Sequence, residues 1–149
     1  MGIKIIAKNK RAHYDYFIDE TFEAGLMLKG TEVKTLRLGK VSLAESYVAI
    51  DKNMEAWIHN VTIPHYEFGN INNHDETRKR KLLLNKSEIE EMAHQVKAAR
   101  QTIVATKIYF KNSKIKLEIA LARGKQKHDK RDVQAKKDIE RKLQQRDYS

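Results

Sequence analysis

The feature that most constrains this sequence is a pair of neighbouring segments in which apolar and polar residues alternate. The apolar positions of the first segment are Val104, Thr106, Ile108 and Phe110. Those of the second, which begins after Asn112 and Ser113, are Ile115, Leu117, Ile119 and Leu121. A period of two is typical of a strand with one face buried. The pattern therefore predicts a half-buried antiparallel hairpin.

Three further segments favour strands. Residues 14–28 are rich in aromatic and β-branched residues and predict one long strand, in which Gly25 marks a bulge or a sharp bend. Residues 47–50 and 55–61 predict two short strands, and residues 51–54 supply the turn between them.

Two segments favour helices. Residues 31–37 predict a short helix with Thr31 as its N-cap and Gly39 after its end. Ser87 and Glu90 form a capping box for a second helix that runs to about Arg100, with Met92 on its apolar stripe. Residues 64–80 between the strands and this helix predict a long exposed loop.

These elements predict a mainly β domain over residues 1–122, a small, partly open antiparallel barrel of the OB type with two or three short helices. Residues 123–149 form a basic C-terminal tail whose only apolar stripe is Ala135, Ile139 and Leu143. Such a stripe buries too little surface to offset the entropy of ordering the segment. We expect the tail to be disordered when free and helical when docked on an anionic partner.

The net charge of +10 over 149 residues comes from the two ends of the chain. Residues 1–11 carry four bases and no acid, and residues 123–146 carry ten bases and four acids, whereas residues 12–122 are nearly balanced. Basic ends indicate phosphate binding. They also fit an anionic membrane surface or a merely soluble basic surface, although the tail lacks the bulky apolar face of interfacial helices.

Several classes of protein are not favoured. The chain has no cysteine, no apolar run in residues 1–11 long enough for a signal peptide and no apolar run near 20 residues, so we expect a cytoplasmic protein without thiolate-bound metals. His59, His65 and His74 lack helical metal-ligand spacing, so we expect no metal and no cofactor. An RNA-processing enzyme using His74 or Glu32 remains a rival, but no catalytic pairing of carboxylates is present, and we expect no enzymatic activity.

Several motifs in one order resemble small protein B, the tmRNA-binding family of bacterial trans-translation. They run from Asn9-Lys10-Arg11-Ala12 through Glu23-Ala24-Gly25-Leu26, Gly30-Thr31-Glu32-Val33-Lys34 and Asn73-His74-Asp75 to Arg80-Lys81-Leu82-Leu83-Leu84-Asn85-Lys86, Tyr109-Phe110-Lys111 and Gly124-Lys125…His128-Asp129-Lys130-Arg131. The resemblance implies an OB-like barrel that binds the tRNA-like domain of tmRNA and a tail that enters the empty mRNA channel of a stalled ribosome. We expect a monomer. A generic OB-fold translation factor that binds RNA without needing a tail is the alternative.

The resemblance also implies RNA contacts by Glu32, Leu83 and Asn85. Other roles for them are a first-turn acid that favours the helix dipole, a core leucine and a helix N-cap, respectively. Phosphate contacts are expected from Arg11, Arg78, Lys79, Arg80 and Lys81. Further RNA-binding positions in the matching motifs are Lys10, Lys34, Arg123, Gly124, Lys125 and Lys127.

Residues of the tail are expected to contact small-subunit ribosomal RNA at the decoding centre. A histidine can stack on a base, and lysine and arginine can hold phosphates. The expected residues are His128, Asp129, Lys130, Arg131, Lys136, Lys137 and Arg141. Asp129 could instead cap a helix.

Overall fold

The computed structural model describes residues 2–68 and 73–125. In these ranges the chain forms seven strands and three helices. In chain order they are β1 (Ile3–Lys8), α1 (Lys10–Asp15), β2 (Tyr16–Leu26), α2 (Gly30–Arg37), β3 (Tyr47–Ile50), β4 (Ala56–His59), β5 (Arg80–Leu83), α3 (Lys86–Ala98), β6 (Thr102–Lys111) and β7 (Lys114–Gly124). None of these helices combines the length and the apolar content needed to cross a bilayer.

The strands pair antiparallel in the order β1-β6-β7-β2-β5-β4-β3, so the prediction of a mainly β fold is confirmed. Strands β1 and β3 are the two edges, and β3 packs beside β6 without pairing with it in the described sheet. The sheet is therefore curled and open, not a closed barrel. Its inner face holds the apolar core, which includes the fully buried Ile58, Leu82, Ile108 and Leu117.

The two alternating segments form the predicted hairpin, β6–β7. Asn112 and Ser113 make its turn with φ values of 50° and 70°, and two successive positive values are typical of a type I′ hairpin turn. At the far end of the hairpin both faces are buried, because Ala122 packs with Ala12 of α1 and Val104. A half-buried hairpin is thus correct near the turn and wrong beside α1. Strand β7 also continues to Gly124, two residues past the expected end of the folded part.

Helix α1 was not predicted, and it takes the place of the first residues of the long strand. Its N-cap is Asn9, whose Oδ1 accepts a hydrogen bond from the Ala12 N–H at 3.2 Å. Strand β2 consequently begins at Tyr16. The predicted bulge at Gly25 is wrong, because Gly25 continues the ladder register and the shift lies between Ile18 and Thr21.

The other helices confirm their predicted positions, but Thr31 and Ser87 are not their N-caps, whereas Asn85, the alternative N-cap considered for the second helix, is confirmed. Helix α2 has Lys29 as its N-cap and α3 has Asn85, so each begins one or more residues earlier than Thr31 or Ser87 implies. Met92 is fully buried, as predicted. Strands β1 and β5 were missed, since both lie in segments whose charge concealed their period.

Replacing Asn9 with alanine is expected to lower the free energy of unfolding by about 2–4 kcal/mol. The side chain is 4% exposed; besides capping α1, its Nδ2 donates to the carbonyls of Leu43 at 3.0 Å and Ala105 at 2.8 Å. Alanine leaves these buried groups without partners. Urea unfolding followed by circular dichroism measures the change. Asn53→Ala, on the exposed β3–β4 turn, is the control, and an equal loss in both variants would contradict the role of Asn9.

Candidate RNA-binding surface

A buried ionic network links α2 to the start of β5. The Glu32 side chain is fully buried, and its Oε1 accepts hydrogen bonds from Arg78 Nη2 at 2.5 Å and from the Lys29 N–H at 2.8 Å. Its Oε2 accepts from Arg80 Nε at 2.5 Å. Burial of a carboxylate is tolerated when charged donors satisfy its lone pairs. One carboxylate therefore holds two arginines that lie 46 and 48 residues away in the chain.

The remaining N–H groups of Arg80 donate hydrogen bonds to backbone carbonyls. Its Nη1 donates to the Val61 carbonyl at 2.7 Å, and its Nη2 donates to the carbonyls of Asp75 at 3.3 Å and Glu76 at 3.1 Å. The side chain is 1% exposed. The predicted phosphate contact by Arg80 and the predicted RNA contact by Glu32 are at odds with this burial. Glu32 and Arg80, together with Arg78, instead form an ionic frame that holds the neighbouring residues in position.

Burial of Glu32 by itself raises its pKa, but hydrogen bonds from Arg78, the Lys29 amide and Arg80 outweigh that effect. The pKa of Glu32 therefore lies below its ordinary value. A carboxylate held in this way is ionised at neutral pH and is unsuited to accept a proton from RNA.

Arg78 lies at the boundary between this frame and solvent, with 25% of its side chain exposed. It donates to Glu32, to the Lys79 carbonyl at 3.3 Å and to the Met27 carbonyl at 3.4 Å. Its Nε is buried and has no hydrogen-bond partner among the described residues. Arg78 is the one arginine of the frame with exposed surface that can meet an anion.

His74 anchors the loop that connects β4 to β5. One ring nitrogen, Nδ1, lies 2.8 Å from Thr31 Oγ1 on α2, and Nε2 lies 2.8 Å from the Ile63 carbonyl. The residue is 1% exposed. His74 thus ties the loop to α2 and does not face a substrate.

Two exposed lysines beside the frame lie over aromatic rings. Lys79 Nζ is 4.6 Å from the centre of the Trp57 ring, and Lys34 Nζ is 5.4 Å from that of Tyr66. Neither ring was singled out from the sequence, although an aromatic residue beside basic residues is typical of RNA-binding surfaces. Only the tertiary pairing shows that these aromatic residues meet those lysines.

On strand β5 the buried Arg80 and Leu82 alternate with Lys81 and Leu83, which lie on the outer face. Leu83 is 52% exposed, so it is not a core residue. Lys81 Nζ lies 3.4 Å from a Glu55 carboxylate oxygen. We give the name Leu83 face to the outer-face residues Lys79, Lys81, Leu83 and Asn85 together with Arg78 of the frame and Lys34 of the same helix as Glu32.

Asn85 serves as the N-cap of α3 and is also exposed. The Glu88 Oε1 accepts a hydrogen bond from its N–H at 3.1 Å. Asn85 is therefore confirmed as the N-cap of α3, and the residue is exposed.

Leu83 and Asn85 border a groove that is also lined by three carboxylates, Glu55, Glu88 and Glu23 of β2, and the sequence did not indicate Glu23 as a site residue. Glu23 lines the same groove of about 500 Å³. The Tyr109 hydroxyl donates to its Oε2 at 2.5 Å, and Lys111 Nζ lies 3.3 Å from its Oε1. The hydrogen bond from Tyr109 lowers the pKa of Glu23, so an exposed, ionised acceptor faces the groove.

The basic residues at the two ends of the described chain meet at the opposite end of β2. Phe17 lies between Arg123 and Lys125, whose charged groups are 5.6 and 5.1 Å from its ring centre. Lys125 also donates through its backbone N–H to the Asp15 carbonyl at 2.9 Å. We call the surface of Phe17, Arg123 and Lys125 the tail-end surface. Because Phe17 and Gly25 are eight residues apart on β2 and Gly25 pairs with Leu83, it lies about 25 Å from Leu83.

The remaining predicted residues lie near the tail-end surface or outside the described ranges. Lys10 and Arg11 are exposed on α1, and Arg11 forms ion pairs with Asp15 at 3.2 Å and Glu45 at 3.1 Å. Gly124 pairs with Tyr16. The predicted residues outside the described ranges are Lys127, His128, Asp129, Lys130, Arg131, Lys136, Lys137 and Arg141.

Fold and surface together define a small, basic, mainly β protein that displays lysines, aromatic rings and an exposed leucine around a buried ionic frame. The family model described as SmpB protein matches residues 6–148. The chain therefore belongs to the SmpB family.

Individual relatives agree along nearly the whole chain. An SsrA-binding protein of Geotalea uraniireducens (strain Rf4) is 50% identical over 141 residues, which cover 95% of this chain and 93% of the relative. One of Thermobifida fusca (strain YX) is 48% identical and covers 97% and 92%. A solved chain from a structure described as "tmRNA-SmpB: a journey to the center of the bacterial ribosome" is 44% identical, with a TM-score of 0.68, covering 81% of this chain and 85% of that one.

Proposed function

We propose that this protein binds the tRNA-like domain of tmRNA and delivers it to stalled ribosomes, as a non-enzymatic adaptor of trans-translation. The observation that carries the proposal is the Leu83 face, where Lys81, Leu83, Asn85 and Glu23 line one groove and the exposed Lys79 lies two residues before Lys81. The relatives named as SsrA-binding proteins support it.

On this surface each type of group has a separate role. Arg78, Lys79 and Lys34 hold phosphates, Leu83 packs against an unpaired base, and Glu23 accepts hydrogen bonds from base amino or ribose 2′-hydroxyl groups. The curled sheet acts as an oligonucleotide-binding-type barrel. The burial of His74 and Glu32 argues against acid–base chemistry on RNA.

The other end of the molecule serves the ribosome. Arg123 and Lys125 begin the basic segment that reaches residue 149, and the proposal places residues 123–149 in the empty mRNA channel and decoding centre. The adaptor is a monomer and works in the cytoplasm, where ribosomes translate. Two surfaces about 25 Å apart along one strand suit a protein that bridges two RNAs.

The test is to sequence the RNA that is recovered with the tagged full-length protein from its own cells. We expect tmRNA to dominate. The double variant Lys34→Met with Lys79→Met should bind the tRNA-like domain about tenfold more weakly at 0.15 M salt, because two phosphate contacts are lost. Lys52→Met with Lys97→Met removes the same charge elsewhere and is the control. Recovery of a mixed pool of RNAs without tmRNA would refute the proposal.

A further inference from the structure

We propose that Gly25 and Lys116 form a slot in the outer face of the sheet that accepts one unpaired nucleotide of the RNA partner. The inference rests on the proposed function and adds residues that neither the charge pattern nor the motifs indicated. It assigns the base to the side of Leu83 and the phosphate to Lys116.

The slot arises from strand register. Gly25 of β2 pairs with Leu83 of β5 on one side and with Lys116 of β7 on the other. Directly paired residues point to the same face, so Leu83 and Lys116 flank a position without a side chain. Two strand spacings separate them by about 10 Å. A glycine within a strand often marks the place where a ligand approaches the backbone closely.

The space above Gly25 is specific to glycine. A Cβ at this position would lie 3.2 Å from Leu83 Cβ, closer than ordinary van der Waals contact. Leu83 already borders this space, with its Cδ1 and Cγ at 3.5 and 3.7 Å from the same Cβ position, so alanine would push Leu83 aside by a few tenths of an ångström and cover the floor of the slot. The grooves on the two sides of Leu83, of about 500 and 390 Å³, share Gly25, Leu83 and Lys116 in their walls.

Lys116 differs from most other lysines of this outer face because it has no close ion-pair partner in the described part of the chain. Among the lysines on this outer face, Lys81, Lys107 and Lys111 each lie within 4 Å of a glutamate. Lys116 and its neighbour Lys114 form no salt bridge with any residue in the described ranges. Lys116 acts on Glu23 only from a distance, contributing to the lowering of its pKa. Its ammonium group is thus free to hold a phosphate at the edge of the slot.

The phosphate and the base parts of the slot are tested by two variants of the full-length protein, with the in vitro transcribed tRNA-like domain as the probe. Lys116→Met should weaken binding about fivefold at 0.15 M salt and reduce the slope of log affinity against log salt by about 0.7–0.9. Gly25→Ala should weaken binding about tenfold with the slope unchanged, because it removes space and no charge. Lys97→Met, which removes one exposed charge from α3, is the control, and thermal unfolding verifies that each variant is folded.

Equal behaviour of Lys116→Met and Lys97→Met, or wild-type affinity of folded Gly25→Ala, would overturn the slot. Measuring every variant with a mature elongator tRNA as well separates this inference from the proposed function. A wild-type protein that does not prefer the tRNA-like domain refutes the proposed partner. The same loss by the slot variants on both RNAs would still support the slot.

Discussion

Glu32→Gln is expected to lower the free energy of unfolding by about 3–5 kcal/mol, because it leaves the buried guanidinium group of Arg80 and the partly exposed one of Arg78 without their counter-charge. Both arginines donate to Glu32 at 2.5 Å, and Arg80 is 1% exposed, so water cannot replace the lost carboxylate. Urea unfolding at pH 7 measures the change. The control is Glu45→Gln, which breaks the exposed pair with Arg11 and should cost about 0–1 kcal/mol.

The same variant separates the two roles considered for Glu32. If Glu32 holds Arg78 and Arg80 in place, Glu32→Gln lowers the stability of the protein. Its affinity for RNA then falls only to the extent that Arg78 and Lys79 move. Direct contact with RNA predicts the reverse, a large loss of affinity in a protein of normal stability. Unchanged stability of Glu32→Gln would therefore contradict the structural role of Glu32 and would favour the direct RNA contact that the family resemblance implies.

The pH dependence of this contribution has a defined sign. Because the pKa of Glu32 is lowered by folding, its stabilisation is fully present above the ordinary carboxylate pKa and is lost as the pH falls through the folded value. The stability difference between the wild type and Glu32→Gln should hence shrink below about pH 4.

Local patterns were sufficient where the partners of a residue are close in the sequence. The β6–β7 hairpin follows from its period of two, because its register pairs residues on either side of a two-residue turn. Helix α3 and the burial of Met92 follow from a stripe with helical spacing. For these elements the local sequence is sufficient to predict the structure.

Elements fixed by distant partners were missed. Helix α1 begins at Asn9, whose side chain is held by carbonyls 34 and 96 residues away. Strand β5 lies in a run of four bases that indicates a solvated face, but Glu32, 48 residues earlier in the chain, draws Arg80 into the interior. A buried ion pair cannot be recognised from the local sequence, because each partner considered alone is predicted to be an exposed charged residue.

The candidate site was predicted in part for the same reason. Leu83 and Asn85 are exposed as an RNA contact requires, whereas Glu32 is not. Glu23 and Lys116 reach the same groove only through the register of β2 with β5 and β7. Spacing along the chain could identify the charged residues but could not decide which of them share a face.

A chain that ends at Lys125 is expected to bind the tRNA-like domain with nearly unchanged affinity, within about threefold, because every described residue of the Leu83 face is retained. Lys125 itself is kept because it lies over the Phe17 ring and donates to the Asp15 carbonyl. The measurement is equilibrium binding of labelled RNA to the truncated and full-length proteins.

Rescue of stalled ribosomes by the same truncated chain should be lost, since the proposed occupant of the mRNA channel is gone. Peptide transfer to aminoacylated tmRNA in a reconstituted translation reaction measures this rescue. A chain in which residues 126–149 are replaced by a glycine- and serine-rich segment of equal length is the matched control, because it restores length without charge. Both chains should fail to rescue, because phosphate contacts require the bases of the tail. Normal rescue by the truncated chain would place the ribosomal contacts on the described domain instead, and rescue by the control alone would show that length matters and charge does not.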